Sequence, residues 1–328
     1  MIQTKIIFLF IALSIALLPV EASDGNPETT TFPVLEGPYL GQKTPGRTPE
    51  IFAQGVVSTK NFLEYSSSFS PDLREFYFTR DLSPDHWVIM HMEQKNSGWT
   101  KPKPAFFSGS YKDLEMSVSP DGQKLFFCSN RPLNKGGELK KDFDIWYLLR
   151  VDGRWSDPIH AGPIINSRGN EWYPTVSRNG TLYFCGREKP GLYKSDINNK
   201  GNYDAWVMIG DLRKTDIIGG HPYIAPDESY LITSAINGYD TNGGWDLFIS
   251  FRKSDGSWTR SLNLGGNVNT KASEDFPCIS PDGKYLFFTR LFKDDDGNDI
   301  GDIYWVDATI IEELKPDKLR DNATGRSR

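Results

Sequence analysis

The side chains with the clearest potential for binding or catalysis are carboxylates and arginines that recur on either side of a repeated turn motif. Four carboxylates lie seven residues before the second position of a Ser-Pro-Asp-like turn, and four arginines end the strand that follows the turn. They are Glu64, Asp113, Glu171 and Glu274, with Arg80, Arg131, Arg187 and Arg290. Arginine forms bidentate ion pairs with carboxylates. Because the set recurs in four of five units, we interpret it first as structural pairing that fixes the register of neighbouring repeats.

Departures from the repeat are better candidates for a site, because a catalytic constellation should break the symmetry of the repeats. Glu115 and His221 lie two residues after the carboxylate position, and Gly219 replaces the carboxylate in the unit of His221. Trp172 and Trp245 stand outside the recurring tryptophan positions. We predict that these four residues, with the carboxylates and arginines above, form a polar face that binds a ligand or partner. We predict no catalytic residue.

Motifs for covalent or metal-dependent catalysis are missing from the sequence. It has no Gly-x-Ser-x-Gly elbow and no phosphate-binding glycine loop. Its four histidines are scattered singly, which argues against a zinc site. The stretch from Asp294 to Asp299 offers oxygen ligands of the kind Ca²⁺ prefers, but its glycine falls at the fourth place instead of the sixth, so we predict a solvated loop. We expect no metal and no cofactor, while paired carboxylates keep saccharide chemistry open.

A turn motif predicts the strands that carry these residues. It occurs five times, each time before an apolar run rich in aromatic residues. The motifs are Ser70-Pro71-Asp72, Ser119-Pro120-Asp121-Gly122, Ser177-Arg178-Asn179-Gly180, Ala225-Pro226-Asp227 and Ser280-Pro281-Asp282-Gly283. Their second positions lie 49, 58, 48 and 55 residues apart. This period suits a four-stranded unit, so the sequence predicts an all-β propeller of four-stranded antiparallel blades. Five blades are expected, and six is the alternative.

The third strand of each unit is predicted to open at an aspartate shortly before a large apolar residue. The segments are Asp85-His86-Trp87, Asp144-Ile145-Trp146, Asp204-Ala205-Trp206, Asp246-Leu247-Phe248 and Asp302-Ile303-Tyr304. Trp87, Trp146 and Trp206 are therefore expected to pack between sheets, as are the turn residues Trp99, Trp155 and Trp258.

The two ends of the repeat region are predicted to meet. The last unit stops without a fourth strand, and residues 51–59 fit the fourth-strand pattern ahead of the first unit. A strand from the N-terminal side would complete the last blade and remove an open sheet edge. We therefore place the propeller at residues 48–312, a linker or surface-draped tail at 23–47, and a polar C-terminal tail at 313–328.

The first residues predict export. Lys5 precedes an apolar run over residues 6–18, and Val20-Glu21-Ala22 supplies small residues for a cut after Ala22, so residues 1–22 are predicted to be a signal peptide. An uncleaved anchor is the alternative, and no stable membrane span is expected after cleavage. The net charge of −6 argues against nucleic acid as a partner.

The three cysteines, Cys128, Cys185 and Cys278, are predicted to be buried in strands. Because Cys128 and Cys185 occupy equivalent positions in neighbouring units, a disulfide between them is the alternative.

The Ser-Pro-Asp-Gly turn, the Leu-x-Phe run and the Asp-Ile-Trp or Asp-Ile-Tyr strand make residues 48–310 resemble the WD40-like, or PD40, repeats of TolB-type periplasmic proteins. The resemblance implies a propeller in the periplasm or outside the cell. TolB-type proteins have six blades and an added α/β domain, and neither is evident here.

Taken together, these features predict an exported, monomeric, non-catalytic scaffold that binds an extracytoplasmic protein or a small ligand such as a sugar or peptide. A propeller enzyme, a hydrolase or lyase acting on saccharides or peptides, is the alternative.

Overall fold

The computed structural model describes residues 32–83, 85–96, 98–186, 191–209, 218–236, 241, 243–293, 297 and 299–320. The chain divides into a unit Met1–Pro33, of which only Phe32 and Pro33 are described, and a unit Val34–Arg328. The account below concerns the second unit. The predicted signal peptide lies outside the described residues.

Strands make up five antiparallel sheets that follow one another along the chain as the blades of a propeller. The first strand, β1 (Glu50–Ile51), precedes blade 1. Blade 1 contains β2 (Leu63–Phe69), β3 (Glu75–Ser83), β4 (His86–Lys95), β5 (Gly98–Trp99) and β6 (Lys103–Pro104). Blade 2 contains β7 (Asp113–Val118), β8 (Lys124–Ser129), β9 (Asp144–Val151), β10 (Arg154–Trp155) and β11 (Ile159–His160). In both blades the outermost strand is split into two short pieces.

The other three blades have four strands each. Blade 3 contains β12 (Glu171–Val176), β13 (Leu182–Gly186), β14 (Leu192–Ser195) and β15 (Val207–Met208). Blade 4 contains β16 (Ile218–Ile224), β17 (Tyr230–Ile236), β18 (Asp246–Phe251) and β19 (Leu262–Asn263). Blade 5 contains β20 (Ser273–Ile279), β21 (Tyr285–Lys293) and β22 (Asp299–Asp307), with β1 as its outer strand. The predicted five-bladed, all-β fold is thus confirmed.

The ring closes as predicted, through pairing of the N-terminal strand with the last blade. Glu50 lies opposite Trp305 and Ile51 opposite Tyr304 in antiparallel register. The Phe52 N–H then donates to the Ile303 carbonyl at 2.8 Å. The pairing strand is shorter than the nine residues that the pattern suggested, because the chain turns after Ile51 and enters the linker to blade 1.

The Ser-Pro-Asp motif owes its sequence to the hydrogen bonds of the turn between the first two strands of a blade. Its third residue, Asp or Asn, accepts the backbone N–H two positions further on in all five units. The residue between them has a positive φ, at Leu73, Gly122, Gly180, Glu228 and Gly283. Glycine meets that requirement at the lowest cost, which explains why three of the five units carry it.

The third strand of blade 3 differs from the prediction. It is β14, which begins at Leu192, whereas Asp204 to Trp206 lie after it, on the way to β15. The reason is the connection from β13, which spans only residues 187–191 and brings the chain back early. Trp206 is accordingly 38% exposed and is no counterpart of Trp146.

Blade 1 also departs from the predicted alignment of third strands. Val88 of β4 pairs with Arg80, just as Asp302 of β22 pairs with Arg290. Asp85 therefore lies in the preceding turn, and Trp87 occupies the position directly before the one that Asp144, Asp246 and Asp302 share.

Segments on either side of the propeller sequence pack against it. A 3-10 turn at Pro38–Gly41 buries Tyr39 and Leu40, and the Tyr39 hydroxyl donates to Asp282 at 2.5 Å. After the last strand, helices α1 (Thr309–Leu314) and α2 (Asp317–Arg320) follow, with Ile310 and Ile311 of α1 in the apolar core of blades 4 and 5. No helix among the described residues is long and apolar enough to cross a membrane.

Phe52 should be among the most costly residues to remove, because its fully buried ring joins the closing strand to two blades. It lies 5.1 Å from the rings of Phe287 and Trp305 and 5.4 Å from that of Phe76. We expect Phe52→Ala to lower the free energy of unfolding by about 3–5 kcal/mol in urea denaturation. Phe106→Ala is the control, since Phe106 is 64% exposed and its loss should cost less than about 0.5 kcal/mol.

Candidate functional site

The first strand of every blade carries a bulge at the same place, and the bulged residue is a non-glycine residue with a positive φ. The ladder shifts between Tyr65 and Ser67 in blade 1 and at the corresponding points of the other blades. The five residues are Ser66, Glu115, Tyr173, His221 and Phe276, with φ between 41° and 55°. We call them the bulge ring. Bulges re-aim side chains and are frequent next to active sites, and such backbone strain clusters at functional positions.

The N–H groups of the bulge ring are satisfied largely by the preceding blade. Ser66 donates to the Thr289 hydroxyl at 3.3 Å, Glu115 to the Thr79 hydroxyl at 3.1 Å, and His221 to the Cys185 sulfur at 3.3 Å. These acceptors all lie on second strands. Cys185 therefore stands in the role that threonine hydroxyls have elsewhere, and the thiols of Cys128, Cys185 and Cys278 are free.

Three charged residues from three blades meet at the centre of the ring. The His221 imidazole donates from Nδ1 to the Asp275 carboxylate at 2.7 Å, and Nε2 lies 3.7 Å from Oε1 of Glu115. The other oxygen of Glu115 accepts the Tyr173 N–H at 2.8 Å. The side chains of Glu115 and Asp275 keep 4% and 5% of their surface exposed, against 19% for His221.

Burial and mutual charge set the protonation of this group. Burial alone would lower the pKa of His221, but the carboxylates of Asp275 and Glu115 outweigh it and raise that pKa to about 9. Burial raises the pKa of Glu115, against the effect of the His221 charge. His221 is therefore an imidazolium at neutral pH, held between two carboxyl groups.

The separation between Glu115 and His221 leaves room for a ligand atom. At 3.7 Å the two groups are too far apart for a direct hydrogen bond, and no described residue offers Nε2 an acceptor within bonding distance. An oxygen seated on the open side could lie about 2.8 Å from both atoms, which is ordinary hydrogen-bond geometry. Such an oxygen would accept from Nε2–H and donate to the carboxylate, as a hydroxyl group does.

Glu115 and His221 form part of the floor of a funnel of about 950 Å³. Aromatic side chains make up much of its wall, and lysines lie at its rim. The wall residues include Phe62, Tyr65, Trp87, Trp172 and Phe276, and the rim carries Lys60, Lys293 and Asp81. The Phe143 ring lies between Trp87 and Trp172, 5.7 Å from the first and 4.6 Å from the second. The site is thus an open cavity with largely apolar walls and the Glu115–His221 pair in its floor.

The four repeated carboxylates lie beside the funnel and are fully buried. Arg80 donates to Glu64 at 2.8 Å, Arg131 to Asp113 at 2.6 Å and Arg290 to Glu274 at 2.7 Å. Each pair lies within one blade and not between blades, but each arginine also donates to a carbonyl of the linker that enters the blade.

The linker itself completes each carboxylate site. Thr59, Ser167 and Thr270 donate backbone N–H and hydroxyl hydrogen bonds to Glu64, Glu171 and Glu274. Just before them, Asn166 and Asn269 clamp the backbone of the third strand of the previous blade. These contacts support the structural interpretation of the repeated carboxylates, and ligand binding by these carboxylates and arginines stays a prediction.

The structure brings Glu115, His221 and Trp172 together in the funnel, whereas the Trp245 ring lies behind His221 at 6.3 Å. Arg187 and most of the Asp294–Asp299 loop lie outside the described residues. Among the described residues no cluster of His, Cys, Asp and Glu is arranged to hold a metal ion.

Two residues of the site are not identified by the sequence patterns above. The sequence predicts that Trp87 packs between sheets, yet Trp87 lines the funnel at the position that Phe143 and Trp245 occupy in their blades. Asp275 was not singled out, although it is the acidic residue at a position held by Tyr65 and Trp172 in other units. A comparison of the units one residue before the bulge ring would have shown it.

No family model matches the chain, and no curated protein matches it. Several solved structures match the chain in fold. A TolB structure from Agrobacterium tumefaciens is 15% identical over 73% of this chain and 80% of that chain, with a TM-score of 0.46. TolB from Acinetobacter baumannii is 12% identical over 77% of this chain, with a TM-score of 0.47, and this chain spans 59% of it.

A third match is the native arabinanase of Bacillus subtilis, which is 13% identical over 76% of this chain and 95% of that chain, with a TM-score of 0.50. At these identities the likeness concerns the fold alone. It assigns neither an activity nor a ligand to the funnel.

The buried Arg290–Glu274 pair should couple strongly, because either partner alone would leave a charge or a polar group buried without its counterpart. We expect Arg290→Met to lower the free energy of unfolding by about 3–5 kcal/mol, and Glu274→Gln to recover part of this loss in the double variant. A double-mutant cycle in urea measures the coupling. The exposed pair Lys293–Asp299, with 63% and 57% side-chain exposure, is the control and should couple by less than about 1 kcal/mol. Equal coupling in the two pairs would contradict the structural role.

Stability should fall with rising pH through the titration of His221. Burial would lower the pKa of His221, but Asp275 and Glu115 raise it from 6.5 to about 9 in the folded chain. The folded state therefore holds the proton more tightly, so this stabilisation is complete below pH 6.5 and is lost as the pH rises through about 9.

We expect the free energy of unfolding to decrease between pH 6.5 and 9 by up to about 3 kcal/mol more in the parent than in His221→Gln. Urea denaturation across this range measures the difference between the two proteins. Burial raises the pKa of Glu64 to about 7, but Glu64 is present in both proteins, so its titration cancels in this difference. Parallel profiles of the two proteins would show that His221 is not held as an imidazolium.

Proposed function

We propose that this protein is an exported binding module whose central funnel holds a saccharide or a similar polyhydroxylated ligand. The observation that carries the proposal is the Glu115–His221 pair, a hydrogen-bond acceptor and a donor 3.7 Å apart and open to the funnel. One hydroxyl group can satisfy both. A site built to hydrogen-bond a hydroxyl discriminates strongly against molecules that lack it.

The walls fit the same ligand class. Trp87, Trp172 and Phe276 present ring surface, which suits the apolar faces of a ring-shaped ligand whose edges carry polar groups. The charges about the funnel also offset one another: Lys293 pairs with Asp299, and Lys112 beside Trp87 pairs with Asp85. A neutral ligand suits such a funnel better than a highly charged one. A peptide, or a protein partner that inserts one side chain, is the other outcome to be tested.

A propeller enzyme that acts on saccharides is the second candidate. One observation favours it: Glu115 is a buried carboxyl group whose pKa is raised, and a group of this kind can deliver a proton to a leaving oxygen. If the funnel is catalytic, oligosaccharides will be cleaved by the parent and not by Glu115→Gln. Product analysis by chromatography after prolonged incubation separates the two candidates, because a binding module returns its ligand unchanged.

Binding can be followed by the fluorescence of Trp87 and Trp172, with cellotriose, xylotriose and maltotriose as neutral probes. In Glu115→Gln the amide oxygen must accept the Tyr173 N–H, so the NH₂ group replaces the free acceptor and faces the imidazolium. We expect the affinity for the trisaccharide that binds to fall roughly ten- to a hundredfold, since a hydrogen bond to a charged group contributes about 1.5–3 kcal/mol. Calorimetric titration checks the affinity.

Glu138→Gln is the matched control, because Glu138 lies exposed on the loop between β8 and β9 and its substitution should leave the affinity unchanged. Both variants must melt at the temperature of the parent. If none of the trisaccharides binds the parent, the saccharide proposal fails and peptides become the next probes. If Glu115→Gln binds as tightly as the parent, Glu115 does not hydrogen-bond the ligand and the proposal for the funnel floor fails.

A further inference from the structure

We propose that Asp275 is the positioning residue of the funnel floor: it fixes His221 with both ring nitrogens protonated, so that the floor offers a donor beside the acceptor Glu115 and selects ligands by a hydroxyl group. The inference rests on the proposed function for the ligand, but its central claim, the state of His221, does not. Asp275 does not itself line the funnel, so it acts on a ligand through His221.

The hydrogen bonds of Asp275 define this role. Its Oδ1 accepts from His221 Nδ1 at 2.7 Å and from the Phe276 N–H at 2.8 Å. The second bond ties the carboxylate to the backbone of the bulge ring and so fixes the direction from which it meets the imidazole. With Nδ1–H held by Asp275, the ring can turn only Nε2 toward Glu115 and the funnel.

Ring packing holds the same orientation. The Phe276 ring lies 4.4 Å from the His221 ring at an interplanar angle of 31°, and the Tyr173 ring lies 5.5 Å away at 68°. These two aromatic rings restrict rotation of the imidazole, and Gly220 leaves space for Trp245 on the far side, 3.6 Å from where a Cβ would be. The orientation is thus set by packing, and the protonation state is set by charge.

The groups that face His221 come from five strands. They are Asp275 on β20, Glu115 on β7, the Cys185 thiol on β13, the Ser234 hydroxyl on β17 and the Tyr173 phenol on β12. Burial raises the pKa of the Cys185 thiol and of the Tyr173 phenol, so both stay neutral over the pH range considered. Asp275 and Glu115 are therefore the charges that decide the state of His221.

Replacing Asp275 by asparagine should turn Nε2 of His221 from a hydrogen-bond donor into an acceptor. The amide oxygen of Asn would still accept from Phe276 N–H and from Nδ1–H, since one oxygen serves both in the parent. Without the carboxylate charge, burial dominates and the imidazole loses a proton. That proton must leave Nε2, so Nε2 becomes an acceptor that faces another acceptor, Glu115. A ligand hydroxyl then has no donor to accept from.

The test is a pH titration of His221 by NMR on ¹⁵N-histidine-labelled protein, with its signal assigned by comparison with His221→Gln. In the parent, both ring nitrogens should be protonated at pH 7.5, and the midpoint should lie near 9. In Asp275→Asn, the midpoint should fall by two units or more, and the neutral form should carry its proton on Nδ1. Asp81→Asn is the matched control: Asp81 lines the funnel but is not in contact with His221, so the midpoint should not move.

Affinity for the three neutral trisaccharides completes the test. In Asp275→Asn we expect at least a tenfold loss at pH 7.5 that is largely recovered at a pH below the new midpoint, a response that a purely structural residue would not give. An unchanged His221 midpoint in Asp275→Asn overturns the inference, as does a neutral His221 at pH 7.5 in the parent, which needs no variant to fold. If His221 behaves as expected but no trisaccharide binds the parent, the role of Asp275 stands and the saccharide proposal falls.

Discussion

The structure depends on one backbone constraint: a bulged, left-handed residue on the innermost strand of each blade, whose N–H must find a partner inside the molecule. The unfavourable backbone conformation persists only because its surroundings hold it, and three of these N–H groups are satisfied by a side chain on the second strand of the previous blade. At these three junctions one blade therefore fixes the next, and the bulge places Glu115, His221 and Phe276 along the funnel. The architecture and the site share this feature.

Around that ring, the repeated residues make contacts that hold the blades and linkers together, whereas Glu115 and His221, which depart from the repeat, line the funnel. The arginine–carboxylate pairs of blades 1, 2 and 5, the linker hydroxyls at Thr59, Ser167 and Thr270, and the asparagine clamps at Asn166 and Asn269 recur because these junctions present similar backbone groups. Glu115, His221 and Asp275 occur once each, in blades 2, 4 and 5. Removing charges from water is costly unless they compensate one another, and these three do so only because closure of the ring brings three blades to one axis.

The same arrangement accounts for the chemistry of the funnel floor. Two carboxyl groups around one imidazole keep a proton where burial alone would remove it, so the floor carries a donor and an acceptor at a distance too long for them to bond each other. Aromatic walls surround this pair. A polar group held in this way is available to a ligand, because the protein itself leaves it incompletely satisfied.

The fold could be read from the sequence alone, from five turn motifs and from a last blade whose missing strand lay at the other end of the chain. These are local patterns, since each turn is made by residues within a few positions of one another. The sequence also singled out Glu115, His221 and Trp172, because they break the repeat. It misplaced the third strand of blade 3 and the role of Trp87, because the length of a hairpin connection shifts the register without changing the motif. The pairing of Asp275 with His221, 54 positions away, could be seen only in the folded molecule, since it forms when the innermost strands of blades 4 and 5 pack side by side and no local pattern encodes which of their side chains meet.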